Sequence, residues 1–267
     1  MIKTIVVGAA GRMGGRIINA INETEGIELV GAVEYKNHPA TGKDAGEVVG
    51  LGKLNIELMD DLATIIDLGD VIIDFTNNTA SLRHLEIVAK NKKAIVIGST
   101  GFSAKEMDEV KKLSDNAKCV LSPNMGVGVN LVFKIIEDIS KVLGDDFDIE
   151  IVEAHHRFKK DSPSGTAMKI AQIIAQTLKR DLDEVGVYGR KGIVGERKQK
   201  EIGIQAVRAG DIVGDHTVIF GGLGERLEVT HRAHSRDTFA RGAVRAAKWI
   251  VNQKNGLYDM QDVLGLK

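Results

Sequence analysis

Thr4-Ile5-Val6-Val7-Gly8-Ala9-Ala10-Gly11-Arg12-Met13-Gly14 is a short apolar run that breaks into glycines, and a helix-period pattern follows from Arg12 to Asn22. An apolar strand, a glycine turn and a helix in that order form the first β-α step of a dinucleotide-binding domain. Glycine permits the tight turn and lets backbone N–H groups approach a pyrophosphate at the helix amino terminus. The spacing is a variant. Gly11 and Gly14 match the last two glycines of the usual fingerprint, while Ala9 stands where the first would be. A glycine turn alone is a weak signal. Its context strengthens it, because the second apolar strand ends at Glu34, 20 residues past Gly14, where a carboxylate can accept hydrogen bonds from an adenosine ribose.

Working outward, the same alternation recurs. Ile27 to Val33, Val71 to Phe75, Ala94 to Ile97 and Cys119 to Leu121 are apolar runs without the polar alternation of a half-exposed sheet. Thr79 to Lys90 and Ala104 to Asn116 carry helix-period apolar residues between them. The fold class is α/β, with a Rossmann-like doubly wound parallel sheet. Two further strands end on small or polar residues, Asp74-Phe75-Thr76 and Gly98-Ser99-Thr100-Gly101, and Ser122-Pro123-Asn124-Met125 follows a third. Ligands of open α/β sheets bind beyond the carboxyl ends of strands, so these turns are expected near a nicotinamide.

The pattern changes after Asn124. Val129, Val132, Phe133, Ile136, Ile139 and Leu143 form one helical stripe, and Ile149 to Val152 reads as a strand. A helix is expected from Ser164 toward Arg180, then strands near Ile202 to Val207, His216 to Phe220 and Leu227 to Thr230. Turn-like separators imply that these last three are consecutive antiparallel neighbours. The expected organisation is a dinucleotide-binding domain over 1–125 and a second α+β domain with a mixed open sheet over 126–235. A C-terminal helix, capped by Asp237, returns to the first domain over 236–267.

The bulk composition narrows the function classes. The 267 residues carry 36 Lys+Arg against 37 Asp+Glu, a formal charge of −1, so no global basic field points to nucleic acid. Cys119 is the only cysteine and lies in a strand-like run, where a small core side chain is a better reading than a nucleophile. The amino terminus lacks the apolar core of a signal peptide, and no stretch of about 20 apolar residues implies a spanning helix. The expected protein is soluble and cytoplasmic, with no membrane partner.

Glu153-Ala154-His155-His156-Arg157-Phe158-Lys159-Lys160-Asp161-Ser162-Pro163-Ser164-Gly165-Thr166-Ala167 is the stretch richest in chemistry. Two histidines, an arginine and two lysines crowd six positions, and a helix amino terminus follows whose N–H groups can bind an anion. The combination suits a small substrate bearing carboxylates. Metal ligation reads poorly, since His155 and His156 on a strand point to opposite faces and no cysteine or carboxylate set completes a zinc pattern.

The glycine turn, Asp74-Phe75-Thr76, Gly98 to Gly101 and the His155-to-Ala167 run together resemble the 4-hydroxy-tetrahydrodipicolinate (dihydrodipicolinate) reductase family. Val207 to His216 and Thr230 to Arg236 add to the resemblance, which covers nearly the whole chain. It implies a nicotinamide-dependent reduction in diaminopimelate and lysine biosynthesis, and a homotetramer. It implies that His155 gives or takes a proton, that Lys159 is a second proton donor, and that His156, Gly165 and Thr166 bind the substrate. Cofactor contacts implied are Gly8, Ala9, Ala10, Gly11, Arg12, Met13, Glu34, Gly98, Ser99, Thr100, Ser122, Pro123, Asn124 and Met125. Tyr35 stands where some members have an arginine, which favours NADH or dual use over strict NADPH. Lys36 and His38 could still attract the extra phosphate of NADPH. Two other readings share the glycine turn: another two-domain nicotinamide oxidoreductase, and a redox sensor that binds dinucleotide without turnover. Neither accounts for Lys159 joined to Ser164-Gly165-Thr166, and no helix pair or basic stripe supplies a sensor with a DNA-binding output.

Overall fold

In the computed structural model, which describes residues 1–267, the chain begins β1 (Ile2–Val7), α1 (Arg12–Asn22), β2 (Ile27–Val33), α2 (Ala45–Val49), β3 (Leu58–Met59), β4 (Val71–Asp74), α3 (Asn78–Lys90), β5 (Ala94–Ile97), α4 (Ala104–Ser114) and β6 (Lys118–Leu121). It continues α5 (Val127–Leu143), β7 (Asp148–His155), α6 (Gly165–Thr177), α7 (Leu182–Val185), β8 (Gly186–Val187), β9 (Ile202–Arg208), β10 (Gly214–Gly221) and β11 (Arg226–Ala233). It closes with α8 (Asp237–Ile250), β12 (Gly256–Tyr258) and α9 (Met260–Leu264). Two compact units result: Met1–Val127 with Asp237–Lys267, and Gly128–Arg236.

The first unit is built on a seven-stranded sheet in the order β12-β6-β5-β4-β1-β2-β3, every pair parallel. Its strands are apolar on both faces because helices cover both. Ile5 and Val7 pack with Leu85 and Val88 of α3 and Val110 of α4. Val6, between them, packs with Ile17 of α1 and with Ala243 and Ala247 of α8. Truncating a fully buried residue such as Ile17 to alanine would cost about 2–5 kcal/mol. Cys119 belongs to this core, and burial pushes its thiol up to about 12.

Local chemistry sets the helix starts. Asn77 caps α3 by accepting from Ala80 N–H, and Ser103 and Glu106 form a reciprocal capping box on α4. α3 and α4 differ from the sequence expectation only at their ends. α8 begins at Asp237, whose carboxylate also pairs with Arg16. The short elements α2, β3, α7, β8, β12 and α9 were not expected, because runs of two to five residues carry too little periodicity to register.

The second unit holds a five-stranded mixed sheet in the order β11-β10-β7-β9-β8. Here one expectation fails. β9 and β10 are not neighbours: each pairs with β7, β9 in parallel and β10 antiparallel, and only β10 and β11 form a hairpin. The turn at Ala209 to Asp211 instead carries the chain past the end of β7, where Ala209 N–H donates to His155 O and Arg157 N–H to Gly210 O. One face of this sheet packs Ile149, Ile151, Ile202, Val218 and Phe220 against α5 and α6.

Candidate active site

Strand β7 alternates between partly and fully buried positions, so Ile149, Ile151, Glu153 and His155 share its inward face. β10 alternates likewise and sets His216 opposite Glu153 in register. The inward face is therefore apolar along most of its length and turns polar at one end. Glu153 is fully buried there, His155 is 8% exposed and His216 5%.

Glu153 uses both carboxylate oxygens. Oε2 accepts from His155 Nδ1 at 2.6 Å and from one Arg208 amino group at 2.8 Å. Oε1 accepts from the other Arg208 amino group at 2.8 Å and from Ser164 N–H at 3.0 Å. Burial pushes this carboxyl up, but the hydrogen bonds from Arg208, His155 and Ser164 outweigh it and leave it below the usual carboxylate range. It is an anion, so Nδ1 of His155 must donate to it. Arg208 also donates to Asp161 O at 2.8 Å, which ties down the loop after β7.

The loop delivers its residues to α6. Ser164 is the N-cap, its Oγ accepting from Ala167 N–H at 3.1 Å and sharing a hydrogen bond with His216 Nε2 at 2.9 Å. Gly165 opens the helix, and the space over its Cα is clear of other atoms. Lys159 pairs with Asp161 at 2.9 Å and is mostly covered, whereas Asp161 is open to solvent. His156 is half-buried with Nδ1 unpartnered. Burial and then the neighbouring charge of His155 push His216 down to about 4, so it is neutral near pH 7. The Nδ1 atom of His216 has no partner. Arg157 and Phe158 are exposed.

In the first unit the carboxyl ends of β1, β2, β4, β5 and β6 gather the other candidates. Gly8 has φ +69°, and a Cβ there would lie 2.9 Å from Thr76 Cγ2. At Gly14 a Cβ would stand 2.1 Å from Gly8 O, so both positions require glycine. Gly11 caps α1 without a side-chain hydrogen bond, leaving the first helical N–H groups of Arg12 and Met13 for an anion. Ala9 N–H and Ala10 N–H are engaged, donating to Val33 O at 3.1 Å and to Glu34 Oε1 at 2.9 Å. These bonds shape the turn.

Beside the turn lies a cavity of about 380 Å³ whose walls include Glu34, Tyr35, Lys36, Thr76 and Arg83. It suits an adenosine held through its ribose. Lys36 lines it; His38 does not, and its Nδ1 instead accepts from Ala40 N–H at 3.1 Å. Arg83 escaped the sequence reading, because an exposed arginine on a helix gives no signal that its turn faces a strand end.

Beneath the other turns runs a buried polar network. Asp74 accepts from Thr76 N–H and Oγ1 at 2.8 and 2.6 Å and pairs with His84 Nδ1 at 2.8 Å. Ser81 and Ser99 share a hydrogen bond of 2.8 Å. Ser99 and Ser122 are thus buried supports, Ser122 Oγ donating to Asn124 O at 2.9 Å. The Met125 side chain sits in the core, so only its backbone is placed for a ligand. Thr100 and Pro123 are exposed, Gly98 and Asn124 half-buried.

Residues 2–125 match the family model described as dihydrodipicolinate reductase, N-terminus, and residues 128–264 match the one described as dihydrodipicolinate reductase, C-terminus. The chain belongs to the dihydrodipicolinate reductase family. A protein of Syntrophus aciditrophicus (strain SB) named 4-hydroxy-tetrahydrodipicolinate reductase is 62% identical over 267 residues, all of both chains. One of the same name from Geotalea uraniireducens (strain Rf4) is 57% identical, again over all of both chains. The solved dipicolinate-bound dihydrodipicolinate reductase from Paenisporosarcina sp. TG-14 shares the fold, with a TM-score of 0.76, 24% identity and 98% of each chain covered. Membership along the full length displaces the sensor and the unrelated two-domain oxidoreductase as readings. No helix is long and apolar enough to cross a membrane.

Proposed function

We propose that this chain reduces 4-hydroxy-tetrahydrodipicolinate to tetrahydrodipicolinate with loss of water, as a step of diaminopimelate and lysine biosynthesis. The observation that carries the reading is the buried Glu153–His155 pair beside the N-cap of α6, a proton-handling group next to an anion-binding helix start. When bound, reduced nicotinamide dinucleotide supplies the hydride. Gly8 to Met13 would take its pyrophosphate, Glu34 its ribose, and the turns at Gly98 to Thr100 and Ser122 to Met125 its nicotinamide end.

The chain's own residues do the rest. Gly165 and Thr166 offer backbone N–H groups, and Thr166 a hydroxyl, to a substrate carboxylate, with Lys159 as a nearby positive charge. Leaving Asp161 for that carboxylate, Lys159 is positioned to donate a proton as well. His156 adds a substrate contact. His155 transfers a proton through Nε2 while electron density moves through the ring. A dicarboxylate substrate makes each of these cations useful, and the ring is fixed by its carboxylates before any bond changes.

Cofactor use follows from the adenosine cavity. Glu34 disfavours an added phosphate, while Lys36 and Arg83 attract it, so NADH is used and NADPH is accepted. We expect cytoplasmic activity and a homotetramer assembled through the second unit's open sheet face, where Val207 is 44% exposed.

A coupled turnover assay tests the reading. A separate synthase condenses pyruvate with aspartate semialdehyde, and NADH or NADPH oxidation is followed by absorbance. Cofactor loss that needs both proteins is expected. Folded protein that binds NADH but turns over neither cofactor would overturn it.

A further inference from the structure

Glu153 stands at the junction of two things the proposed reaction needs. One oxygen holds Nδ1 of His155, and the other holds the N–H of Ser164, the residue that caps the anion-binding helix. Arg208 occupies both oxygens from a third direction and also fixes the loop carbonyl of Asp161. A fully buried carboxylate with four hydrogen bonds has no freedom to turn, and neither does the ring bonded to it.

We propose that Glu153, clamped by Arg208, is a positioning residue that holds His155 as the Nδ1–H tautomer, so that only Nε2 exchanges protons with the substrate. The proposal rests on the acid–base role given to His155 above. In the transfer, Nε2 first takes a proton from solvent to give the imidazolium; that N–H bond then breaks, its electron pair stays on the ring nitrogen, the proton goes to the substrate, and the Nδ1–H tautomer is restored. Glu153 stays ionised throughout and steadies the imidazolium by its charge.

The surroundings of Nε2 agree. A Cβ built on Gly214 would lie 3.0 Å from it, so the glycine leaves that nitrogen clear of a neighbouring side chain. The ring is also flanked edge-on by His216, with centroids 5.1 Å apart. Glu153 on β7 bonds the ring, Arg208 on β9 bonds Glu153, and through Arg208 and Lys159 the loop residue Asp161 is tied to the same cluster. Of the carboxylates among them, Glu153 is the one bonded to the ring.

The same logic explains why an isosteric amide should fail. Glu153→Gln keeps the shape but places an NH₂ group among three donors, the Arg208 fork, Ser164 N–H and Nδ1–H. The ring is released or driven to the opposite tautomer, with its proton on Nε2 and a bare Nδ1.

Two measurements decide it. Nitrogen NMR of ¹⁵N-histidine-labelled protein, at a pH where the imidazole is neutral, is expected to show His155 as Nδ1–H, and to show loss of that state in Glu153→Gln. Turnover of Glu153→Gln should fall at least about 10-fold, with a smaller change in KM, and in a His155→Gln background the same substitution should lower kcat no further. An Nε2–H tautomer in the unmodified protein would overturn the proposal, as would multiplicative losses in the double variant. If Glu153→Gln does not fold, Arg208→Lys carries the same cycle, and the NMR of the unmodified protein needs no variant. Near-normal kcat in His155→Gln alone is a different failure, because it removes the acid–base reading itself.

Discussion

Glu153 and His155 lie two residues apart on the inward face of one strand, and Oε2 of the first accepts a 2.6 Å hydrogen bond from Nδ1 of the second. The period of the strand makes this pair, since residues i and i+2 share a face. The position ends a row that begins with Ile149 and Ile151, so the carboxylate is inserted where the sheet would otherwise present aliphatic side chains. An uncompensated charge there would be costly, and Arg208 removes that cost.

Loss of the proton-handling groups should appear in kcat. His155→Gln or Lys159→Ala is expected to lower kcat by about 10²-fold or more, the scale of lost acid–base help. Steady-state kinetics check this. A rise in KM at constant kcat would make the residue a binding group instead.

His216 predicts how stability depends on pH. Its folded value is pushed down to about 4 by burial, against 6.5 for an unperturbed histidine. Between those values the unfolded chain binds a proton that the folded chain refuses. This contribution to stability is therefore fully present above about pH 6.5, falls as pH drops toward 4, and is constant below that. The loss amounts to roughly 3 kcal/mol across the window. Denaturant titrations of the unmodified protein and of His216→Gln should show a shallower acid slope in the variant. Parallel slopes would mean that His216 is not buried neutral.

Gly98 lies against an aromatic ring. A Cβ there would stand 2.3 Å from the outer edge of the half-buried Phe75 ring, so the ring would have to move to admit a methyl group. Gly98→Ala is expected to destabilise by about 1–3 kcal/mol and to weaken dinucleotide binding by displacing the turn at Ser99. Thermal melting and a fluorescence titration with NADH read the two effects separately.

How much was legible depends on the length of the signal. The parallel sheet was readable because Ile27 to Val33 and Ala94 to Ile97 are uninterrupted apolar runs between long periodic helices. The order of β9 and β10 was not, since Ala209-Gly210-Asp211 looks like a hairpin turn and nothing local records that β7 lies between them. The His155 run was readable by its density of cations. Glu153 carries no such signal of its own, although the alternation Ile149, Ile151, Glu153, His155 already places it inward. Arg208 and His216 reach the site through strand register, a long-range property that no sequence window contains.

Cofactor choice turns on the balance of charge in one cavity. Glu34 is buried there, Oε1 already accepting from Ala10 N–H, so its carboxylate is fixed rather than free to swing away from an added phosphate. Lys36 and Arg83 line the same cavity. A charge-assisted contact to a 2′-phosphate helps NADPH and does nothing for NADH, which has a hydroxyl at that position. Lys36→Ala and Arg83→Ala are therefore each expected to lower kcat/KM for NADPH by about 10-fold, the equivalent of 1.4 kcal/mol, with NADH changed less than about twofold on the same scale. Glu34→Gln should act oppositely, raising NADPH use relative to NADH. Competition kinetics with both dinucleotides give the ratio directly. Equal losses for the two cofactors in Arg83→Ala would place the guanidinium on the adenine or ribose, which they share, and leave Lys36 as the group that meets the phosphate.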